Sequence, residues 1–548
     1  MLGTYLRRNQ EVSFSKVEKW CLAVITAIGA FIQVSYTYNR PFVGDEVGTL
    51  MNLEKSFAYI LTHSEGWLTM NYFIALEKMM GMFCANNPLS LIAIPLLAGI
   101  AIIPLTGLLA CQFSNSKVAL IAATLVAANP YLTGFSGLIR AYSLLTMLSL
   151  LVIILFFRWF YSRTLKDGIA VAVASYLLML THPGGGYVLA YIAFIGGVDF
   201  LSRLIKRERW EVLTLGIPLG VALICVTVSY YKIYFEMSGG WNVAYHDVGP
   251  TSISYIPYIF GEYFAQGYYG WLTAFFLMAS FLISYKENKP IFLLLPCVIL
   301  PIILISIQGM TVVSWSYGRY LIFVVPILII FLADFIEFLA IKVFKKGAAP
   351  WVLAITALVI ATWWPNMQGV FKSKVDYPWQ EAGSFIRDHY KDGDVVLCDD
   401  GFTCLNLYPY AFKPAFERLT VEEFNKKDRT IGKTFFVISQ ASAIDTAQSS
   451  RLFGKIQVVV YPSDIDTVVL RRLRDDIKRS TATQEIRPEL AFLYRCLWVI
   501  NNKLGIDDDN FRYFNLWRLS FQLTPGQQNI SVALQKREYQ EFIRTLGQ

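Results

Sequence analysis

Asp45 and Glu46 stand side by side in Pro-Phe-Val-Gly-Asp-Glu, a few residues beyond the first long apolar run of the chain. Adjacent carboxylates at an apolar boundary are costly unless paired or used. A partly desolvated carboxyl beside a like charge also has a raised pKa. Those properties suit a general base that takes a proton from a hydroxyl. They equally suit a cap on a helix beginning at residue 47, where the acids would face the positive end of its dipole. Arg140 and Tyr142 in Leu-Ile-Arg-Ala-Tyr-Ser, and Arg319 and Tyr320 in Tyr-Gly-Arg-Tyr-Leu, offer two guanidinium groups. The planar fork of arginine matches a phosphate, although an arginine at a membrane surface also simply snorkels. His182 lies in Thr-His-Pro-Gly-Gly-Gly, where Gly184, Gly185 and Gly186 make a turn whose backbone a ligand can approach. A helix stop with one interfacial hydrogen bond is the plainer alternative there. No HExxH, CxxC, Walker or GxGxxG pattern accompanies these residues, so neither a metal nor a nucleotide has support from spacing.

The elements that must position such residues are membrane spans. Apolar residues make up 55% of the 548 and charged residues only 16%, against about 25% charge in a soluble chain. That balance excludes disorder, and 8 Cys exclude a disulfide scaffold. Eleven apolar runs are read as spans: 17–37, 89–111, 118–135, 141–157, 168–182, 185–202, 210–231, 267–285, 290–308, 320–341 and 350–366. Basic residues crowd into alternate loops. One set holds Arg7, Arg8, Lys16, Lys19, Lys117, Arg158, Arg163, Lys166, Arg203, Lys206, Arg207, Arg209, Lys286, Lys289, Lys342, Lys345 and Lys346; the other holds Arg40, Lys55, Lys78, Arg140 and Arg319. The positive-inside rule puts the first set and the N-terminus in the cytoplasm, and the C-terminus outside. The net charge of +8 thus reflects topology rather than nucleic-acid binding.

Two domains follow. Residues 1–366 form the membrane domain, whose first outer loop, 38–88, carries two interfacial helices. The run Trp67–Phe83 is read as lying in the interface because it contains Glu77 and Lys78, and because a span there would invert the charge bias. Residues 367–548 hold 25 of the 48 Lys+Arg and 23 of the 40 Asp+Glu, and read as a nearly neutral extracytoplasmic domain. Its short β-like runs at Asp394–Leu397, Thr434–Ile438, Gln457–Tyr461 and Thr467–Leu470 alternate with helical patterns at Trp379–Tyr390 and Arg487–Leu504, which suggests an α/β layer fold. Lys232, Glu236, Asp247 and Glu262 lie in or near the loop after the seventh span and read as solvated; His246-Asp247 could assist metal binding, although no metal-ligand spacing accompanies it. Cys398 and Cys404 have a spacing that permits a small-loop disulfide. Trp363-Trp364-Pro365 reads as an aromatic interfacial anchor.

Taken in order, these pieces resemble the GT-C membrane glycosyltransferases, especially bacterial protein O-mannosyltransferase relatives and the aminoarabinose-lipid A transferase. The resemblance is carried by Gly-Asp45-Glu46 after the first span, Arg140-Ala-Tyr-Ser-Leu-Leu at the fourth, Leu-Met-Leu-Thr-His182 closing the fifth and Ser-Tyr-Gly-Arg319-Tyr-Leu. Trp379-Gln-Glu-Ala at the start of the outer domain adds to it. The sequence departs from many relatives at Ser64-Glu65-Gly66-Trp67-Leu68, where they carry His-Pro-Pro-Leu-Tyr.

The resemblance implies an inverting transferase in a bacterial inner membrane, moving a sugar from a polyprenyl-phosphate donor to a hydroxyl of a lipid, glycan or protein. Asp45 would be the general base, assisted by Glu46; Arg140, Tyr142, His182, Arg319 and Tyr320 would bind substrate. The leaving group is a stable lipid phosphate, so the scheme needs one base and cations near the phosphate; it requires no metal or other cofactor, although it is compatible with a divalent metal. Two other readings stay open. A lipid-linked oligosaccharide transferase or ligase would use the same face, although the outer domain lacks a Trp-Trp-Asp signature. A lipid or polysaccharide transporter would place ionisable residues near the bilayer midplane, whereas Asp199, Asp334 and Glu337 fall toward the cytoplasmic ends of their runs.

Overall fold

The structure is a computed structural model. It describes residues 14–37, 55–62, 71–83, 92–182, 184–205, 268–307, 318–344, 348–376, 379–389, 395–398, 417–420, 434–439, 450–453 and 456–461, with the single positions 46, 49, 53, 220, 261, 263 and 264. The chain divides into two compact units, Met1–Arg40 with Thr49–Phe371, and Pro41–Gly48 with Lys372–Gln548.

In the first unit the helices are α1 (Lys16–Thr37), α2 (Phe57–Thr62), α3 (Asn71–Phe83), α4 (Ala93–Phe113), α5 (Ser116–Ala127), α6 (Pro130–Ser136), α7 (Tyr142–Ser162), α8 (Leu165–Thr181), α9 (Gly185–Ile205) and α10 (Tyr268–Lys286). After a 3-10 turn at Pro290–Leu294 come α11 (Leu295–Ile307), α12 (Val324–Phe344) and α13 (Ala348–Asp376). Six of the described helices are long and apolar enough to cross a membrane, and up to eight if each of two bent pairs is one span. Of the run at 210–231 only Gly220 is among the described residues.

The chain's local chemistry explains where these helices start and stop. Ser15 and Glu18 form a reciprocal capping box at the head of α1: the Ser15 N–H donates to Glu18 Oε2 at 2.8 Å and the Glu18 N–H to Ser15 Oγ at 3.2 Å. Asn115 caps α5, its side-chain oxygen accepting from the N–H groups of Lys117 and Val118. Asn129 caps α6, and Pro130 occupies its first turn. That cap and proline break the run read as one straight span at 118–135, and the two pieces meet at 60°.

Helix α12 is the centre of the bundle, with Val324 to Ala333 almost fully buried. Helix α1 instead exposes Val17, Trp20, Val24, Ile28, Phe31 and Val34. Apolar residues at helical spacing on an outward face are what a lipid-facing helix presents. Helices α1, α4 and α6 approach closely at Gly99: a Cβ there would stand 2.4 Å from the Ser136 Cβ and 2.8 Å from Gln33 Oε1. Small residues at such crossings let backbones pack without a hydrophobic drive.

The buried acids of α12 are satisfied. Asp334 accepts from Lys289 Nζ at 2.8 Å and from Ser114 Oγ at 3.1 Å, and Glu337 from Asn115 Nδ2 at 2.9 Å. Asp199 pairs with Arg163 at 3.0 Å. In α3 the two adjacent charges diverge. Lys78 Nζ donates to the carbonyl oxygens of Leu53 and Lys55 at 2.6 and 2.5 Å. Glu77 is buried with no hydrogen-bond partner among the described residues on either carboxyl oxygen, and burial pushes its pKa well above the usual carboxylate range.

The second unit contains α14 (Trp379–His389) and the strands β1 (Val395–Cys398), β2 (Glu417–Thr420), β3 (Thr434–Ser439), β4 (Ser450–Phe453) and β5 (Ile456–Tyr461). The sheet order is β2-β1-β3-β5-β4. Strand β1 runs parallel to both its neighbours, with Val395 opposite Glu417 and Thr434, while β3, β5 and β4 pair antiparallel. Helix α14 packs on β4 and β5, burying Ala382 and Ile386. The β-like run at Thr467–Leu470, the helical run at Arg487–Leu504 and Cys404 lie outside the described residues, and with Cys404 the question of a Cys398–Cys404 disulfide.

Candidate functional site

Three separate stretches of the first unit meet around one phenol ring. Tyr142 opens α7, where it is 2% exposed. The guanidinium carbon of Arg140 lies 6.0 Å from its ring centroid and that of Arg319 lies 5.9 Å away. Arg319 is also 5.5 Å from the ring of Tyr320. His182, at the end of α8, has its ring 5.4 Å from Tyr142 and 5.5 Å from Tyr320, and the two tyrosine rings are 6.4 Å apart. Residues separated by up to 180 positions in sequence are thereby gathered into one group, with two full positive charges beside shared aromatic faces. Such a group is complementary to an anion that can be gripped from two sides.

His182 is oriented by its own turn. Its Nδ1 accepts the Gly184 N–H at 2.9 Å, and the Gly185 N–H donates to the His182 carbonyl at 2.9 Å. A ring nitrogen that accepts carries no proton, so in the neutral imidazole the hydrogen sits on Nε2. That Nε2 is buried and has no hydrogen-bond partner among the described residues, with the residue 1% exposed. Gly184 permits the turn by lacking a side chain: a Cβ would stand 3.0 Å from both the His182 Nδ1 and the Tyr320 carbonyl oxygen.

A second layer holds the group. Tyr263, 2% exposed, donates its hydroxyl to the Gly318 carbonyl at 2.8 Å. Its own carbonyl accepts Asn129 Nδ2 at 2.9 Å. The Asn129 Oδ1 accepts the Leu132 N–H at 2.9 Å. The Tyr263 ring meets Tyr131 at 5.0 Å, Tyr131 meets Phe135 at 4.7 Å, and Phe135 meets Tyr142 at 5.2 Å. Sequence reasoning missed these residues. The one usable sign was Asn-Pro at 129–130, a cap followed by a first-turn proline, inside a run read as continuous.

Of the carboxylates, Asp45 lies outside the described residues. Glu46 is described, is fully buried and belongs to the second unit. Lys232, Glu236, His246, Asp247 and Glu262 lie outside the described residues. Trp363 and Trp364 divide: Trp363 is buried with its ring 5.6 Å from Phe264, and Trp364 is exposed, so only Trp364 fits an interfacial anchor. Among the described residues, no group of three or more His, Cys, Asp or Glu side chains could hold a metal ion.

No protein-family model matches the chain, and no curated protein matches it. Solved structures do. ArnT from Cupriavidus metallidurans in the apo state is similar with a TM-score of 0.52 at 12% identity, over 81% of this chain and 98% of that one. The same protein bound to undecaprenyl phosphate gives 0.51 at 12%, over 80% and 97%. The archaeal oligosaccharyltransferase AglB from Archaeoglobus fulgidus, in complex with an inhibitory peptide and a dolichol-phosphate, gives 0.45 at 13% over 72% of this chain. There the chain spans 64% of its counterpart, less than two thirds. In fold, the chain is similar to ArnT.

Proposed function

We propose that the chain is a glycosyltransferase that moves a sugar from a polyprenyl-phosphate donor to a hydroxyl acceptor at the outer face of a bacterial inner membrane. In this reading the membrane domain has eleven spans, the N-terminus is cytoplasmic and the C-terminal domain is an extracytoplasmic α/β domain. The acceptor oxygen attacks the anomeric carbon from the side opposite the phosphate, so configuration inverts. The acceptor proton passes to Asp45, with Glu46 assisting. The bond between the anomeric carbon and the phosphate oxygen breaks, and the phosphodiester monoanion becomes a lipid monophosphate with a second negative charge. Arg140 and Arg319 face that developing charge, while Tyr142, Tyr320 and His182 shape and complete the phosphate site. Fixed cations aimed at charge that grows during reaction favour the transition state over the bound donor.

The observation that carries this reading is the convergence of Arg140 and Arg319 on one buried ring beside a histidine whose Nε2 has no partner among the described residues. The solved ArnT bound to undecaprenyl phosphate, a likeness of fold, supports the same class of lipid. The experiment is equilibrium binding of polyprenyl phosphate to the purified chain. Arg319→Ala should weaken it by about 1–3 kcal/mol for a lost charge-assisted contact, with Arg319→Lys recovering only part. Wild-type affinity in folded Arg319→Ala protein would reduce Arg319 to a membrane anchor and remove the phosphate site.

A further inference from the structure

We infer that Tyr263 is a positioning residue that fixes Arg319 relative to Arg140; this rests on the reading of the two arginines as the phosphate grip. Arg319 follows directly on Gly318, whose buried carbonyl accepts twice, from the Leu321 N–H at 3.2 Å and from the Tyr263 hydroxyl at 2.8 Å. One bond is local to the turn. The other reaches across 55 positions of sequence and ties the turn to a separate part of the bundle. A peptide plane held at its oxygen cannot rotate freely, so the side chain that follows it keeps its direction.

The other end of the tie leads to Arg140. The Tyr263 carbonyl is gripped by Asn129, which is fully buried and also caps α6. Helix α6 ends at Ser136, and Arg140 follows after the bend at Gly137 to Ile139. The rings repeat the connection: Tyr263, Tyr131, Phe135 and Tyr142 touch in series, and Tyr142 is the ring that both guanidinium groups face. Tyr263 therefore stands between the two segments that carry the two cations. Two cations brought from different segments grip one phosphate well only if their separation is held to within about 0.5 Å. The Tyr263 hydroxyl supplies that constraint on the Arg319 side.

The test is a double-mutant cycle on the full chain, read as the dissociation constant for polyprenyl phosphate and as the thermal midpoint. Tyr263→Phe removes only the hydroxyl and leaves the ring contacts. It should weaken binding about 5- to 50-fold, as expected for a lost buried hydrogen bond coupled to a charged ligand. In an Arg319→Ala background the same change should add less than about twofold, because the residue it positions is gone. Tyrosine replaced by 3-fluorotyrosine at 263 keeps ring and hydroxyl and should bind as wild type, which separates the hydroxyl from packing. Unchanged affinity in Tyr263→Phe, or equal losses with and without Arg319, overturns the positioning role while leaving the phosphate site standing. Unchanged affinity in Arg319→Ala alone overturns the phosphate reading itself, and this inference with it.

Discussion

Replacing His182 by Asn and by Gln separates the two nitrogens of its ring. The Nδ1 accepts the Gly184 N–H at 2.9 Å and the buried Nε2 has no partner among the described residues. An Asn side chain places its oxygen near Nδ1 and can accept the Gly184 N–H, but it has nothing at the Nε2 position. A Gln side chain reaches the Nε2 position with an amide N–H donor. If the Nε2–H completes the phosphate site, His182→Asn removes one hydrogen bond to a charged oxygen, about 1.5–3 kcal/mol. At about 1.4 kcal/mol per factor of ten, that is roughly 10- to 150-fold in affinity. His182→Gln should stay within about threefold of the wild type, since it restores the donor. The assay is equilibrium binding of polyprenyl phosphate in detergent, with thermal midpoints recorded for both variants. If instead His182 serves only to stop α8 and form its turn, the order reverses: Asn binds as wild type and Gln, unable to hold Gly184, is the weaker. That order would refute a ligand role for His182.

Asp45→Asn should lower sugar transfer by about 10²–10⁴-fold while donor binding persists, because an amide cannot take the acceptor's proton. Asn caps a helix as well as Asp, so near-normal turnover in this variant would leave Asp45 a cap and nothing more. Gly99→Ala should lower stability by about 1–3 kcal/mol through overpacking, since its Cβ would meet Ser136 and Gln33 at 2.4 and 2.8 Å. An unchanged thermal midpoint would contradict that close approach.

The sequence announced the helices through apolar length and marked the arginine–tyrosine–histidine cluster through two arginines beside tyrosines at the ends of apolar runs. Arg140, Tyr142, His182, Arg319 and Tyr320 were each readable because a charged or polar side chain at a span mouth stands out against apolar neighbours. The long-range contacts of Tyr263 and Asn129 were not readable. Their roles come from hydrogen bonds to backbone oxygens 55 and 134 positions away, and such partners leave no trace in local composition. The break at Asn129 was hidden because the apolar run continues through it. Strands β2 and β4, Glu-Arg-Leu-Thr and Ser-Arg-Leu-Phe, are too short and too charged for periodicity to register. The opposite destinations of Glu77 and Lys78 depend on which carbonyls α3 lies against, and only tertiary packing decides that.

The broken helix of α5 and α6 bears on the thickness of the membrane around the site. Twelve residues of α5 rise about 18 Å. Seven residues of α6 turned by 60° add only about 5 Å along the same direction. With α5 upright, the pair falls several ångströms short of a hydrocarbon core of about 30 Å. Arg140, four residues past the end of α6, would then lie below the plane where headgroups normally float. Hydrophobic mismatch of this kind is relieved by a local dimple in the bilayer. Under the proposed function, lipids entering such a dimple would bring their phosphates down to the protein's level without lifting their tails out of oil, and the bilayer's own elasticity would share in delivering a long-chain lipid to the arginines.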